Sequence, residues 1–278
     1  MPVLDLHDRG GYLVLDAKEC RASGAALKSR YVTASPFPHI VLEDFIDKSV
    51  LRKLLDEFPT SEGQKYFNRS QERLKYEYGP RHWQGATTHN LFALFNSAAF
   101  VAFLEEMTGF DGLIPDPYYS GGGLHETKRG GHLSVHADFN LHQKLGLIRQ
   151  LNLLVYLNDD WAPEYGGNLE LWDRGMRARE VAVAPDLGRA VVFTTALDSY
   201  HGHPDPLTCP IDRSRRSMAL YYYTAPEDGL ADVPLRTTQF QVRPDSSDRT
   251  DRVVKMQHVI NDWLPLAVRR RLPKPKTD

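Results

Sequence analysis

Eleven residues near the middle of the chain, 132-HLSVHADFNLH-142, contain three histidines and one aspartate. Side chains two residues apart project from the same face of a β-strand, so His136 and Asp138 would point the same way if this segment is extended. An H-x-D pair then presents two metal ligands from one strand. The same spacing also occurs in ordinary structural pairs, so a metal site requires a third ligand from another segment.

That third ligand could come from 199-SYHGHPDP-206, which offers His201 and His203 just after an apolar run. Two histidines and one carboxylate leave the other coordination positions of a metal open. This is the ligand set of non-haem Fe(II) oxygenases, whose open positions take a cosubstrate and oxygen. Zinc hydrolases use the same ligand types with fewer open positions, so the ligands alone do not separate the two classes.

A cosubstrate site would separate them. One large class of iron oxygenases uses 2-oxoglutarate, a dicarboxylate, and a guanidinium fork is the best match to its distal carboxylate. Arg213, Arg215 and Arg216 follow His201, and Arg216 begins the apolar segment 216-RSMALYYYT-224. A buried arginine at that point would need an anion. For any one of these arginines, the alternative is a surface residue at a strand end.

The segments that must position these residues change character along the chain. From about residue 115, short apolar or alternating runs separated by turn residues predict the strands of a sandwich or barrel. These runs are 131-GHLSVHA-137, 151-LNLLVYLN-158, 168-NLELWD-173, 180-EVAVAP-185, 189-RAVVFTT-195 and 216-RSMALYYYT-224.

Helical signals lie on both sides of this β region. Apolar residues at helical spacing, Val50 to Phe58, predict one helix after a short strand at His39–Leu42, and a second helix is predicted over residues 91–110. The tail, residues 252–272, returns to helical periodicity, whereas the first 35 residues give only weak signals. We therefore predict one domain over residues 1–278, with a β core at about 115–225 and helical support from 1–114 and 250–272.

Composition excludes several classes of protein. An apolar content of 41% and a charged content of 25% are those of a globular protein, and a net charge of −2 gives no indication of a nucleic-acid partner. No apolar run approaches the roughly 18 residues that span a bilayer. The first residues lack the pattern of a secretion signal, and Cys20 and Cys209 are too few for a disulfide framework. We expect a cytoplasmic protein without a membrane partner, and the sequence predicts no oligomeric state.

The order of these motifs resembles that of the 2-oxoglutarate/Fe(II) oxygenases of the prolyl-4-hydroxylase-like branch. The matching segments are His136-Ala-Asp138, 156-YLNDDW-161, 166-GGNLELW-172, His201-Gly-His-Pro204 and Arg216, with 37-FPHIVLEDFID-47 upstream. The resemblance implies an α+β protein with a double-stranded β-helix, the jelly-roll fold related to the cupins.

The resemblance also implies roles for individual residues. His136, Asp138 and His201 match the iron ligands, Arg216 matches the residue that binds the distal carboxylate of 2-oxoglutarate, and Tyr156 matches a tyrosine that assists there. An Arg-x-Ser pair formed by Arg215 and Ser217 is an alternative, because alternation places these two on the opposite strand face from Arg216.

The implied activity is that of an Fe(II)- and 2-oxoglutarate-dependent dioxygenase. It would use O₂ to hydroxylate an unactivated C–H bond of a small molecule, or of an amino-acid or peptidyl substrate, and release succinate and CO₂. Two alternatives are a zinc-dependent cupin-like hydrolase or isomerase and a non-catalytic metal-binding jelly-roll protein.

Several polar residues have no assigned role. Arg149 could bind an acidic substrate or be an ordinary charge at the start of a strand, and residues 61–83 could form a lid or a solvated connection. The histidines without a firm role are His125, His132, His142 and His203. We expect His203 either behind the metal ligands or at the substrate entrance.

Overall fold

The computed structural model describes residues 1–60, 65–226, 236–246 and 248. The helices are α1 Ala17–Val32, α2 Lys48–Asp56, α3 Ala86–Phe95 and α4 Ala98–Thr108, with single 3₁₀ turns at Pro80–His82 and Pro163–Tyr165. The strands are β1 His7–Asp8, β2 Leu13–Val14, β3 His39–Leu42, β4 Lys65–Phe67, β5 Glu72–Tyr78, β6 Ile114–Pro115, β7 Gly123–Ala137, β8 Leu141–His142, β9 Leu147–Tyr156, β10 Leu169–Trp172, β11 Arg179–Val183, β12 Ala190–Thr194, β13 His201–His203, β14 Ser214–Thr224 and β15 Gln239–Phe240.

Antiparallel pairing joins thirteen of these strands into one sheet within the described part of the chain. Its main path runs β11-β10-β13-β7-β14-β9-β12-β3, and β5 and β15 add to β7. The sheet curls into a nearly closed jelly-roll barrel, the double-stranded β-helix. The predicted α+β class, the β-helix core and all six predicted core strands are therefore confirmed.

The side chains on the two faces of the barrel strands have different surroundings: one face packs against the helices and the other faces the barrel interior. On β9, Leu151, Leu153 and Val155 are fully buried in the core shared with the helices, whereas Asn152 and Leu154 between them face the barrel interior. This period-2 alternation places the helices outside the barrel and turns polar residues such as Asn152, together with apolar ones such as Leu154, into its interior.

Helix α1 was not predicted, because its apolar residues are mostly alanines and do not form a clear apolar face. Its start is nevertheless encoded locally: the Asp16 side chain caps the helix by accepting hydrogen bonds from the backbone N–H groups of Lys18 (2.8 Å) and Glu19 (3.0 Å). The helix packs against α4, where Gly24 lies close to the backbone of Phe103.

The predicted single helix over residues 91–110 is wrong, because two helices meet there at a bend of 46°. Helix α3 ends at Phe95 with Asn96 as its C-cap, and the Ser97 side chain caps α4 by accepting a hydrogen bond from Phe100 N at 3.3 Å.

In the described part of the chain no single helix is long and apolar enough to span a membrane; α3 and α4 together meet that criterion by length and composition only. The predicted helix at 252–272 lies outside the described residues, so the proposed domain limits stay a prediction.

Gly24→Ala should destabilise the protein even though alanine is the better helix former by about 1 kcal/mol. A Cβ atom at this position would lie 2.4 Å from the Phe103 carbonyl oxygen, a backbone atom that cannot rotate away. Overpacking of this kind costs roughly 1–3 kcal/mol, so we expect a net loss of about 1 kcal/mol in the free energy of unfolding. Thermal or urea unfolding measures it, with Ser23→Ala on the same helix as control; equal stability of Gly24→Ala and wild type would contradict the close approach.

Candidate active site

A cavity of about 710 Å³ opens inside the barrel. Its walls come from β5, β7, β9, β13 and β14 and from residues 236–240. His136, Asp138 and His201 line it together, as the sequence predicted.

Strand pairing brings these three side chains together. In the antiparallel pair of β13 and β7, His201 lies directly opposite His136, and their ring centroids are 4.5 Å apart. The Nε2 atom of His136 lies 3.5 Å from Asp138 Oδ1, and that of His201 lies 3.5 Å from Asp138 Oδ2. One donor atom from each residue fits within 4.8 Å of the other two, so the group could hold a metal ion.

Hydrogen bonding at the far side of each imidazole favours metal binding. His136 Nδ1 lies 2.9 Å from the carbonyl oxygen of Ser134, and His201 Nδ1 lies 2.9 Å from that of Ser199. A carbonyl can only accept, so each Nδ1 carries the proton and donates it. The Nε2 lone pairs are then directed at the shared centre, which is how metal-bound histidines are usually oriented.

The charges at this centre also suit a cation. Burial opposes ionisation of Asp138, but Arg149 and the two imidazoles outweigh burial and hold the pKa of this carboxyl well below its usual range. Burial, together with the neighbouring His136, lowers the pKa of His201 to about 4, so its imidazole is neutral near pH 7. An ionised carboxylate and a neutral imidazole are the forms that bind metal.

Arg215, rather than Arg216, faces the cavity. Arg215 is buried, donates from Nε to Gly167 O at 2.7 Å and from Nη2 to the Tyr156 hydroxyl at 3.3 Å. Arg216 is half-buried on the other strand face, where its Nε lies 3.4 Å from Glu126 Oε1 and its guanidinium covers the Phe58 ring. Arg216 therefore does not line the cavity, against the prediction that it binds the cosubstrate, and the Arg215–Ser217 alternative has the required orientation.

Arg215 points into the cavity because side chains along β14 alternate between the core and the cavity, and the odd-numbered residues are on the cavity side. Met218, Leu220 and Tyr222, which share a face with Arg216, pack in the core formed with the helices. Ser217 and Tyr221, which share a face with Arg215, line the cavity. Both faces are buried, so an apolar run at this position does not reveal which face is inward.

Arg215 lacks a carboxylate partner among the described residues. Burial lowers the pKa of its guanidinium, and the Tyr156 hydroxyl offsets this effect only in part. Tyr156 itself is fully buried behind Arg215 and does not line the cavity. Gly167 admits the arginine, because a Cβ atom there would lie 3.0 Å from Arg215 Cδ and the residue has a φ of +76°. A buried cation without an anion is a ready site for one.

A hairpin of β4 and β5 forms another wall of the cavity. Lys75 Nζ lies 2.9 Å from Glu77 Oε1 and 3.2 Å from Glu72 Oε1, and all three side chains are buried. Since β5 pairs with β7, residues 65–78 belong to the sheet and are neither a separate lid nor a solvated connection; residues 61–64 lie outside the described residues. The alternation Lys75-Tyr-Glu77-Tyr is the sequence signal that could have revealed this strand.

The remaining histidines divide between the cavity and its surroundings. His125, His142 and His203 line the cavity, whereas His132 does not and contacts the carbonyl oxygen of Ser70. The His203 ring is buried, and its Nδ1 has no hydrogen-bond partner within the described segments. At the opposite edge of β7, Phe240 of β15 lies 5.5 Å from the His136 ring, measured between centroids.

Comparison with known proteins places this arrangement in a family. Residues 122–223 match the sequence model of the 2OG-Fe(II) oxygenase superfamily. A Trichoplax adhaerens prolyl hydroxylase, solved with a peptide fragment of the hypoxia inducible factor oxygen degradation domain, has a TM-score of 0.50 at 13% identity over 74% of this chain and 91% of that one. A Pseudomonas putida prolyl-4-hydroxylase has a TM-score of 0.49 at 17% identity over 73% and 99%. Comparison with curated protein sequences gave no significant match.

HygX from Streptomyces hygroscopicus, solved with nickel and 2-oxoglutarate, has a TM-score of 0.46 at 14% identity, covering 67% of this chain and 82% of that one. Fold, site and family match agree with the resemblance found in the sequence. This chain matches the 2OG-Fe(II) oxygenase superfamily over residues 122–223. It is a non-haem dioxygenase that uses Fe(II), 2-oxoglutarate and O₂.

Arg215→Lys should weaken binding of 2-oxoglutarate, because lysine keeps the charge but loses the two-point guanidinium contact. Losing that contact should cost roughly 2–3 kcal/mol, which raises the apparent KM for 2-oxoglutarate roughly 30- to 150-fold. Tyr156→Phe removes one hydrogen bond that orients Arg215 and should cost about 1 kcal/mol.

The matched control is Arg216→Lys, on the neighbouring position of the same strand but outside the cavity. Titrating 2-oxoglutarate against the three variants, with succinate release as the readout, tests the assignment. A large rise in KM for Arg216→Lys with none for Arg215→Lys would restore the original prediction.

Proposed function

We propose that this dioxygenase hydroxylates an unactivated C–H bond of a small molecule or of an amino-acid or peptidyl substrate, with conversion of 2-oxoglutarate and O₂ to succinate and CO₂. The observation that carries the proposal is a single cavity that holds a buried His136–Asp138–His201 group and the cation of Arg215. These are the two features that a 2-oxoglutarate-dependent hydroxylase requires, one for the metal and one for the cosubstrate.

The residues fit an iron site and define what each would do. His136, Asp138 and His201 would hold Fe(II), whose chemistry in this superfamily is the activation of O₂ coupled to decarboxylation of 2-oxoglutarate. Arg215 and Ser217 would bind the distal carboxylate of the cosubstrate. The buried ring of Phe193 lies against His201 and the partly buried ring of Phe240 lies against His136, and both help to exclude water from the centre.

The cavity also has room for a substrate beside the cosubstrate. The hairpin wall with Glu72, Lys75 and Glu77 is polar and charged, which favours a substrate with hydrogen-bonding groups over a purely apolar one. The Trichoplax adhaerens complex contains a peptide, but an identity of 13% extends only the fold to this chain. Free amino acids, small polar metabolites and peptidyl residues are therefore the substrate classes to test.

The two alternative functions predict different dependence on oxygen. A zinc-dependent hydrolase or isomerase has no use for a free buried cation at Arg215 and would turn over under argon. A non-catalytic jelly-roll protein would release no succinate in air. Incubation with Fe(II), 2-oxoglutarate and a metabolite extract, under air and under argon, separates the three; mass spectrometry then identifies the compound that gains one oxygen.

Replacing any of the three ligands by alanine, in His136→Ala, Asp138→Ala or His201→Ala, should weaken Fe(II) binding and reduce succinate release to the background level. Each change removes one donor from a three-donor site, while the strands that carry the ligands stay paired. His203→Ala, two residues along the same strand, is the matched control for metal binding and should keep Fe(II) affinity. Full activity in a ligand variant would remove that residue from the site, and loss of metal in His203→Ala with retention in His201→Ala would exchange the two histidines.

A further inference from the structure

The side chain of Arg149 lies in the cavity beside the metal-binding carboxylate. Arg149 is only 2% exposed, so it is not a surface charge at the start of β9. Its Nη2 lies 3.1 Å from Asp138 Oδ2. Nε and Nη2 both donate to Asn152 Oδ1, at 2.9 and 2.7 Å, and Asn152 Nδ2 donates in turn to Asp138 Oδ2 at 2.8 Å.

These contacts distinguish the two oxygens of Asp138. Oδ2 faces one cationic and one amide donor. Within the segments that the structure describes, the partner of Oδ1 is the Nε2 atom of His136 at 3.5 Å. Each oxygen also lies 3.5 Å from one ligand imidazole, Oδ1 from His136 Nε2 and Oδ2 from His201 Nε2, so the difference between them is that Oδ2 alone is engaged by Arg149 and Asn152.

Aromatic rings fix the plane of the Arg149 guanidinium. Its central carbon lies 3.5 Å from the centroid of the Tyr221 ring and 4.6 Å from that of the Phe139 ring. Tyr221 is held from outside by the glycine-rich turn before β7: its hydroxyl donates to Gly121 O at 2.7 Å. A Cβ atom at Gly122 would lie 2.9 Å from Ala219 O, so the turn can approach β14 this closely only without side chains.

We propose that Arg149, together with Asn152, is a positioning residue that restricts Asp138 to metal binding through one oxygen. Carboxylates bind metals through one oxygen or through both. Binding through both would occupy a coordination position that the cosubstrate or O₂ needs in an iron site of this ligand set. The glycine-rich turn before β7 contributes to this positioning indirectly: Gly121 accepts a hydrogen bond from Tyr221, and the Tyr221 ring covers Arg149.

The inference rests on the proposed function in one respect, the assignment of Asp138 as a metal ligand. A purely structural ion pair is the competing explanation, because a buried carboxylate and a buried guanidinium each need a counter-charge. The two explanations differ in their effect on the metal. Removing a nearby cation relieves its repulsion of a divalent ion, so the positioning role predicts that metal affinity does not fall although turnover does.

The experiment uses the full chain with Mn²⁺ as the probe in place of Fe(II). Arg149→Met removes the charge and the donors but keeps a long side chain between the two rings, and Arg149→Lys keeps the charge without the fork. Water-proton relaxation gives both the Mn²⁺ dissociation constant and the number of exchangeable waters on the ion. Succinate release with Fe(II) gives turnover. Arg216→Met, on the neighbouring strand and outside the cavity, is the control.

For Arg149→Met we expect Mn²⁺ binding at least as tight as in wild type, one exchangeable water fewer, and turnover lower by roughly 10- to 100-fold. Arg149→Lys should restore the water and part of the turnover, and Arg216→Met should match wild type in all three measurements. If Arg149→Met does not fold, Asn152→Leu removes the other donor to Oδ2 and should show the same loss of one water.

An unchanged water count in the folded variant, or turnover that falls only in proportion to a weaker Mn²⁺ affinity, overturns the positioning role. Asp138→Ala distinguishes this failure from failure of the proposed function. Retained Mn²⁺ affinity in Asp138→Ala overturns the metal assignment itself, and this inference with it. Lost affinity there, combined with an unchanged water count in Arg149→Met, overturns this inference alone.

Discussion

The pairing of β13 with β7 is the contact on which the site depends. Side chains directly opposite each other in an antiparallel pair share a face and lie close together, and His201 lies opposite His136 in this way. Asp138 joins them because it follows His136 by two residues. A slip of one residue in this register would turn His201 to the other face of the sheet. The long strand β7 is held in place by further pairing with β5, β14 and β15, so the rest of the barrel protects the register.

Burial of charge determines where the ligands can bind. Asp138 is compensated by Arg149, and Lys75 by Glu72 and Glu77, so these groups are stable in a cavity without further partners. Arg215 differs, since its only partners in the described chain are a hydroxyl and a backbone carbonyl. Uncompensated burial of a cation costs several kcal/mol, and a bound carboxylate would recover much of that cost. The charge balance thus favours an anionic group such as a carboxylate at Arg215, independently of any resemblance between sequences.

Local patterns in the sequence predicted the strands and the metal group, and they failed where the answer depends on distant contacts. Spacing alone placed His136 and Asp138 on one face, and the search for a third ligand found His201. The sequence did not show which arginine of β14 faces the cavity. One face of this strand is buried by helices and the other lines the cavity, so the hydrophobic pattern does not distinguish the inward face from the outward one. Helix α1 was missed because it buries little apolar surface, although its Asp16 cap was readable. The role of Arg149 was not predictable, because Asp138, Phe139 and Tyr221 reach it only through the folded sheet.

The origin of the cavity walls explains why the family does not identify the substrate. The candidate metal ligands His136, Asp138 and His201 lie within residues 122–223, the segment that matches the superfamily, and so do Arg149, Arg215 and Ser217. Other walls come from outside that segment: Lys75 and Glu77 from the hairpin at 65–78, and Phe240 with its neighbours from 236–240. Both segments are added to the edges of the same strand, β7, next to the metal ligands. If the matched segment holds the metal and the cosubstrate as proposed, these two added segments, with the charged Lys75 and Glu77 and the aromatic Phe240, are walls left to contact the substrate, and the family match carries no information about them.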